Sequence, residues 1–128
     1  MPRLARTTSM IKPRTLGAMV LLLLGLGSQR LHAAPLCPKL DQAALRQMAQ
    51  ERGPLHLIFF ASWCGECAKH LKAEHSGQTI LIATFDEEAA AERAIRKLGI
   101  KTPCYFDDGL SEAFGIKSVP HTLEFKAP

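Results

Sequence analysis

Leu55 to Cys67 reads LHLIFFASWCGEC, an apolar run leading into two cysteines separated by two residues. Leu55–Ala61 is rich in β-formers and barely alternates, which is the pattern of a strand buried on both faces. Pro54 bounds the run on one side and the Ser-Trp-Cys-Gly turn on the other. A helix is expected from Gly65 to about His75, closed by Ser76-Gly77, so the chain leaves a buried strand, turns, and starts a helix at the first cysteine. Free backbone N–H groups and a partial positive charge gather at a helix N-terminus. Both favour a thiolate over a thiol, which makes Cys64 the expected nucleophile. The helical turn returns Cys67 beneath Cys64, placed to resolve a mixed disulfide by intramolecular attack.

Working outward, Asp41–Arg52 carries Ala44, Leu45, Met48 and Ala49 at helical spacing, with Gly53-Pro54 as a stop. Thr79–Phe85 (TILIATF) reads as a second apolar strand. Asp86 is the expected cap of a helix over Glu87–Leu98, whose buried stripe is Ala91, Ala94, Ile95 and Leu98. Acidic residues open that helix, basic ones close it, and Gly99 can supply a left-handed end. Tyr105-Phe106 reads as a strand stub before the Asp107-Asp108-Gly109 turn, Leu110–Phe114 as one helical turn, and His121–Phe125 as a last strand. Strands alternating with helices imply a layered α/β sheet with parallel crossovers.

The 128 residues are 47% apolar and 22% charged, one domain's worth of ordinary globular composition. A collagen-like, disordered or multi-spanning membrane chain is excluded. The formal charge of +4 is unevenly spread. Residues 1–33 hold Arg3, Arg6, Lys12, Arg14 and Arg30 and no acid; the remainder has 11 Lys and Arg against 12 Asp and Glu. A nearly neutral domain has no electrostatic footprint for nucleic acid.

Those first 33 residues have the layout of a secretory signal peptide: a basic Met1–Arg14, the apolar run Leu16–Gly27, and a polar stretch ending in small residues. The run is shorter than the roughly 20 residues a spanning helix needs. The alternatives are an uncleaved membrane anchor and, with Cys37 nearby, a lipoprotein, against which Leu36 is too large for the usual signal. The domain organisation expected is a signal peptide over 1–33 and one domain over 34–128, in the periplasm or otherwise outside the cytoplasm. In that setting the four cysteines, Cys37, Cys64, Cys67 and Cys104, make disulfides sensible.

A CxxC pair can also be half of a zinc or copper site. Structural zinc needs two further ligands, and no second CxxC or HxxxH pair is present. His70 and His75 are poorly spaced for a tetrahedral set. No metal and no organic cofactor is expected. An inert structural disulfide is a further alternative, against which the Trp63 context speaks.

The string FFASWCGEC, followed by Ser118-Val119-Pro120-His121-Thr122, resembles the thioredoxin superfamily. Within it, Phe106–Pro120 (FDDGLSEAFGIKSVP) is similar to the segment leading to the cis-proline in exported reductases of the TlpA type. The resemblance covers about Leu40 to Phe125. It implies a central mixed sheet flanked by helices, with Cys64 attacking, Cys67 resolving and Trp63 flanking the pair. It also implies Pro120 as a cis-proline facing the sulfurs and the Val119 backbone as the partner of a bound substrate strand. Physical chemistry agrees on Pro120: X–Pro is the one accessible cis peptide, and proline has no N–H to donate to sulfur. A trans proline starting an edge strand is the alternative.

Three departures from the family pattern matter. The buried acid that thioredoxins place on the strand before the redox motif is Ile58 here, with His56 two residues earlier. Proton transfer from Cys67 then falls to another group or to water; Glu66 and His70 are the candidates, His70 the better placed. Gly65-Glu66 stands where thioredoxin has Gly-Pro, and the negative charge of Glu66 favours a less oxidising disulfide. Finally, the family fold continues into another antiparallel strand and a C-terminal helix. Here only Lys126-Ala127-Pro128 follows the last expected strand, so both elements are expected to be missing, with an exposed sheet edge as the consequence.

Cys37 and Cys104 are candidates for a structural disulfide, with free thiols or a relay pair as alternatives. The function expected is exchange of a Cys64–Cys67 dithiol with protein clients and an upstream redox partner, as a reductase or electron relay rather than a strong oxidant. The alternatives are a non-catalytic thioredoxin-like binding module and a copper-handling CxxC protein. Nucleic acid is not an expected partner, and membrane contact requires an uncleaved signal segment.

Overall fold

The computed structural model describes residues 34–128, which form one unit of the chain. The signal peptide or anchor expected over 1–33 lies outside the described residues. In chain order the elements are β1 (Lys39–Leu40), α1 (Gln42–Arg52), β2 (Leu55–Phe60), α2 (Cys67–Lys72), β3 (Thr79–Ala83), α3 (Glu88–Leu98), β4 (Cys104–Asp107), α4 (Leu110–Ala113) and β5 (His121–Phe125). The five strands form one mixed sheet in the order β1-β4-β3-β2-β5. β1, β4, β3 and β2 run parallel, and β5 lies antiparallel to β2, with His121 opposite Phe59 and Phe125 opposite Leu55.

Alternation along β2 and β3 divides the core into two layers. Leu55, Leu57 and Phe59, with Ile80 and Ile82, meet Leu45 and Ala49 of α1 and Leu110 of α4 on one face. Ile58 and Phe60, with Leu81 and Ala83, meet Cys67 and Leu71 of α2 and Ala91 and Ile95 of α3 on the other. Both faces of the sheet are therefore covered, which is why neither strand alternates in hydropathy. His56 is the one exposed residue of β2.

The expected stops of α1 and α3 hold, each at a glycine with positive φ. Asp41 caps α1, its carboxylate accepting the Ala44 N–H at 2.8 Å, and Gly53 ends that helix at φ 86°. Gly99 ends α3 in the left-handed conformation, φ 65° and ψ 32°. Two expectations need correction. α2 is shorter than Gly65–His75, because the chain enters it through a separate turn and Ala73 leaves it in an extended conformation. Asp86 is not the cap of α3; Glu87 holds that position without a side-chain bond, and the Asp86 carboxylate is engaged elsewhere.

At the β1 edge, Cys37 and Cys104 are joined in a disulfide with a Cα–Cα distance of 4.8 Å, both buried. At the other edge, β5 pairs with β2 alone among the described residues. No described helix is long and apolar enough to cross a membrane.

Candidate active site

Parallel strands carry their loops to a common end, and in open α/β sheets ligands bind outside the carboxyl ends of the strands. Here that end gathers the Ala61–Glu66 loop after β2, the Thr84–Glu87 loop after β3 and the Asp108-Gly109 turn after β4. Because β5 is antiparallel, its N-terminal end, and with it Val119-Pro120, arrives at the same place.

The loop after β2 consists of two successive turns. The Cys64 N–H donates to the Ala61 carbonyl at 3.2 Å, and the Cys67 N–H donates to the Cys64 carbonyl at 3.2 Å. α2 begins at Cys67, so Cys64 stands three residues ahead of the helix rather than at its first position. The backbone donor expected at the sulfur is nevertheless present. The Cys67 N–H also reaches the Cys64 Sγ at 3.2 Å.

Cys64 and Cys67 are joined in a disulfide, Cα–Cα 5.3 Å. Their exposures differ sharply. Cys64 is half-buried, whereas Cys67 is 1% exposed and packs with Ile58, Phe60 and Leu71. Of the two sulfurs, only that of Cys64 is open to a partner from outside. Ile58, 4% exposed, belongs to the apolar cluster around Cys67 and supplies no ionisable group there. Glu66 and His70 are both exposed. The His70 carbonyl accepts from His75 Nε2 at 2.6 Å, which ties the end of α2 to the following segment.

Trp63 is 66% exposed, and its indole N–H donates to the Phe85 carbonyl at 2.8 Å. Phe85 is itself 47% exposed and has φ 54°, a left-handed conformation unusual for an aromatic residue. Asp86 accepts from the Ser62 N–H at 2.6 Å and the Ser62 hydroxyl at 2.9 Å. Sequence reading missed both Ser62 and Phe85. The only signal for Asp86 was its place before a helix, and that suggested a different job.

The Val119–Pro120 peptide is cis, and Val119 packs against both apolar layers, including the one that holds Cys64 and Cys67. The residues expected to act together, Trp63, Cys64, Cys67, Val119 and Pro120, thus share one end of the sheet. Cys37 and Cys104 belong instead to the β1–β4 edge. Among the described residues no three His, Cys, Asp or Glu side chains converge as metal ligands.

No protein-family model and no curated protein matches the chain.

Proposed function

We propose that the domain is a thiol–disulfide oxidoreductase of thioredoxin-like fold, exported from the cytoplasm and acting on protein clients. The observation that carries this reading is the asymmetry of the cysteine pair. A reachable Cys64 sulfur accepts a backbone N–H bond, and its bonded partner is sealed into the core directly behind it. A peptide N–H at sulfur favours the thiolate, the reactive form. The cis Val119-Pro120 peptide lies at the same sheet end, where the resemblance to thioredoxins puts the backbone that meets a client segment.

In the reducing direction the Cys64 thiolate attacks one sulfur of a client disulfide. A Cys64–client bond forms, the client S–S bond breaks, and the other client sulfur leaves as a thiolate. Cys67, as a thiolate, then attacks Cys64. The Cys64–Cys67 bond forms and the second client sulfur leaves. Two electrons pass from the dithiol to the client, and the two client thiolates take up the protons that Cys64 and Cys67 release. With Ile58 in place of a buried acid, water, Glu66 or His70 relays the Cys67 proton on its way to the client. An upstream dithiol protein restores the reduced pair by the reverse sequence. No cofactor enters.

The test uses the full chain with Cys67→Ser and insulin as the probe disulfide. The reduced variant should retain a covalent insulin chain on Cys64, and wild type with dithiothreitol should reduce insulin without accumulating an adduct. No adduct, together with no insulin reduction above the dithiothreitol background, would overturn the reading.

A further inference from the structure

Disulfide chemistry poses a mechanical problem for a loop that is not yet a helix. While Cys64 and Cys67 are bonded, the loop is held by its own covalent ring. When the bond opens, nothing covalent keeps Cys64 over Cys67, and the rate and equilibrium of closure depend on how far the loop drifts. Its upstream turn, Ala61–Cys64, is held within the loop by one backbone bond of 3.2 Å. The neighbouring loop supplies more.

Both central residues of that turn are fastened to consecutive residues after β3. The Asp86 carboxylate takes the Ser62 N–H on Oδ2 at 2.6 Å and the Ser62 hydroxyl on Oδ1 at 2.9 Å. The Phe85 carbonyl takes the Trp63 indole N–H at 2.8 Å. Asp86 is itself anchored, Oδ1 also accepting the Glu87 N–H at 2.9 Å at the start of α3. Just beneath, the Thr84 N–H donates to the Phe60 carbonyl at 2.8 Å, so the two loops leave the sheet already in register. A carboxylate is the group suited to this place. It offers two acceptor oxygens and no donor, and it meets three donors here; its bonds are charge-assisted and therefore short.

We infer that Asp86 is a positioning residue for the redox pair: through Ser62 it holds the upstream turn in place when the disulfide opens, and so keeps Cys64 within closing distance of Cys67. Phe85 serves the same clamp through its carbonyl. Its left-handed backbone, an uncommon conformation for an aromatic residue, accompanies that arrangement. The inference rests on Cys64–Cys67 being the working pair, but its measurement does not require turnover of a client.

The experiment equilibrates the full chain with glutathione mixtures and measures the Cys64–Cys67 closure constant by mass after alkylation, with circular dichroism as the check on folding. Removing the clamp frees the open form more than the ring-closed one, so Asp86→Ala should weaken closure. The expected loss is about tenfold, or roughly 30 mV toward a more oxidising couple. Asp86→Asn keeps the shape but loses an acceptor and should fall between Asp86→Ala and wild type. Ser62→Ala, which removes one bond and leaves the charge, should move the constant the same way by less. That variant also carries the test if Asp86→Ala fails to fold. Trp63 is the chain's single tryptophan, and its fluorescence anisotropy in the dithiol form should drop in the same order. Closure constants within twofold of wild type in folded Asp86 and Ser62 variants overturn the inference alone. A wild-type chain that forms no Cys64–Cys67 bond in any mixture overturns the redox reading with it.

Discussion

Cys37 and Cys104 continue the parallel β1–β4 ladder, standing two residues before the Lys39–Phe106 pair and bonded to each other there. β1 is only two residues long. Its ladder includes the Phe106 N–H to the Pro38 carbonyl at 2.9 Å and the Asp108 N–H to the Leu40 carbonyl at 3.1 Å. So short an edge strand has little holding power of its own. The disulfide closes a loop with a sequence separation of 67, for which loop-closure entropy alone is worth about 4 kcal/mol. Replacing both cysteines by alanine should cost about 2–4 kcal/mol in denaturant unfolding. Hydrogen exchange should show the Phe106 and Asp108 amides losing protection first. A loss below about 0.5 kcal/mol would mean that β1 holds without its staple.

The difference in exposure between Cys64 and Cys67 predicts ordered chemistry. With the pair reduced and the protein native, limiting iodoacetamide at neutral pH should label Cys64 at least about ten times faster than Cys67. Peptide mapping by mass spectrometry gives the ratio. Equal labelling, or a Cys64 rate no greater than that of free cysteine, contradicts the assigned roles.

Asp107 joins three partners, one from the loop after β3 and two from α4. Its carboxylate accepts the Thr84 hydroxyl at 2.5 Å and the Leu110 N–H at 2.6 Å, and the Ser111 N–H reaches both of its oxygens at 3.2 Å. Thr84 is buried. Asp107→Ala should cost about 2–4 kcal/mol, combining the lost bonds to the first amides of α4 with a buried hydroxyl left unpaired. Adding Thr84→Val removes that hydroxyl and should recover part of the loss. A double variant no more stable than Asp107→Ala would show that the hydroxyl carries none of it.

Phe85 stands in a backbone conformation that asparagine adopts far more readily. Its half-exposed ring gives up little burial when removed. Phe85→Asn should therefore be as stable as wild type or more stable by up to about 1 kcal/mol, read from thermal and urea unfolding. A loss greater than about 1 kcal/mol would show that the ring contributes packing the left-handed backbone does not reveal.

Particular residues mark how far the chain could be read before it was folded. β2 and β3 were legible because burial on both faces leaves a run of apolar side chains with no polar break. The stops of α1 and α3 were legible because Gly53 and Gly99 take the positive φ that ends a helix and acts only on backbone within a turn. Asp86 was misread for the complementary reason. Its place before a helix predicts a cap, but Ser62, which is 24 residues away in sequence and has a backbone N–H to satisfy, lies closer in space to its carboxylate. The start of α2 slipped from Cys64 to Cys67 because the Cys64 and Cys67 N–H groups close two tight turns, to the carbonyls of Ala61 and Cys64.

By itself the chain determined the chemistry on offer and the local elements: two sulfurs at CxxC spacing after a buried strand, helices with their stops, and a proline before the last strand. These depend on side chains and neighbours a few residues apart. Tertiary structure alone decided the strand order, the partner of Cys37, the sealing of Cys67 behind Cys64 and the fastening of the Ala61–Cys64 turn to Phe85 and Asp86. Each of those pairs groups distant in sequence, and buried polar groups and strand edges choose partners by proximity in space, which no local pattern encodes.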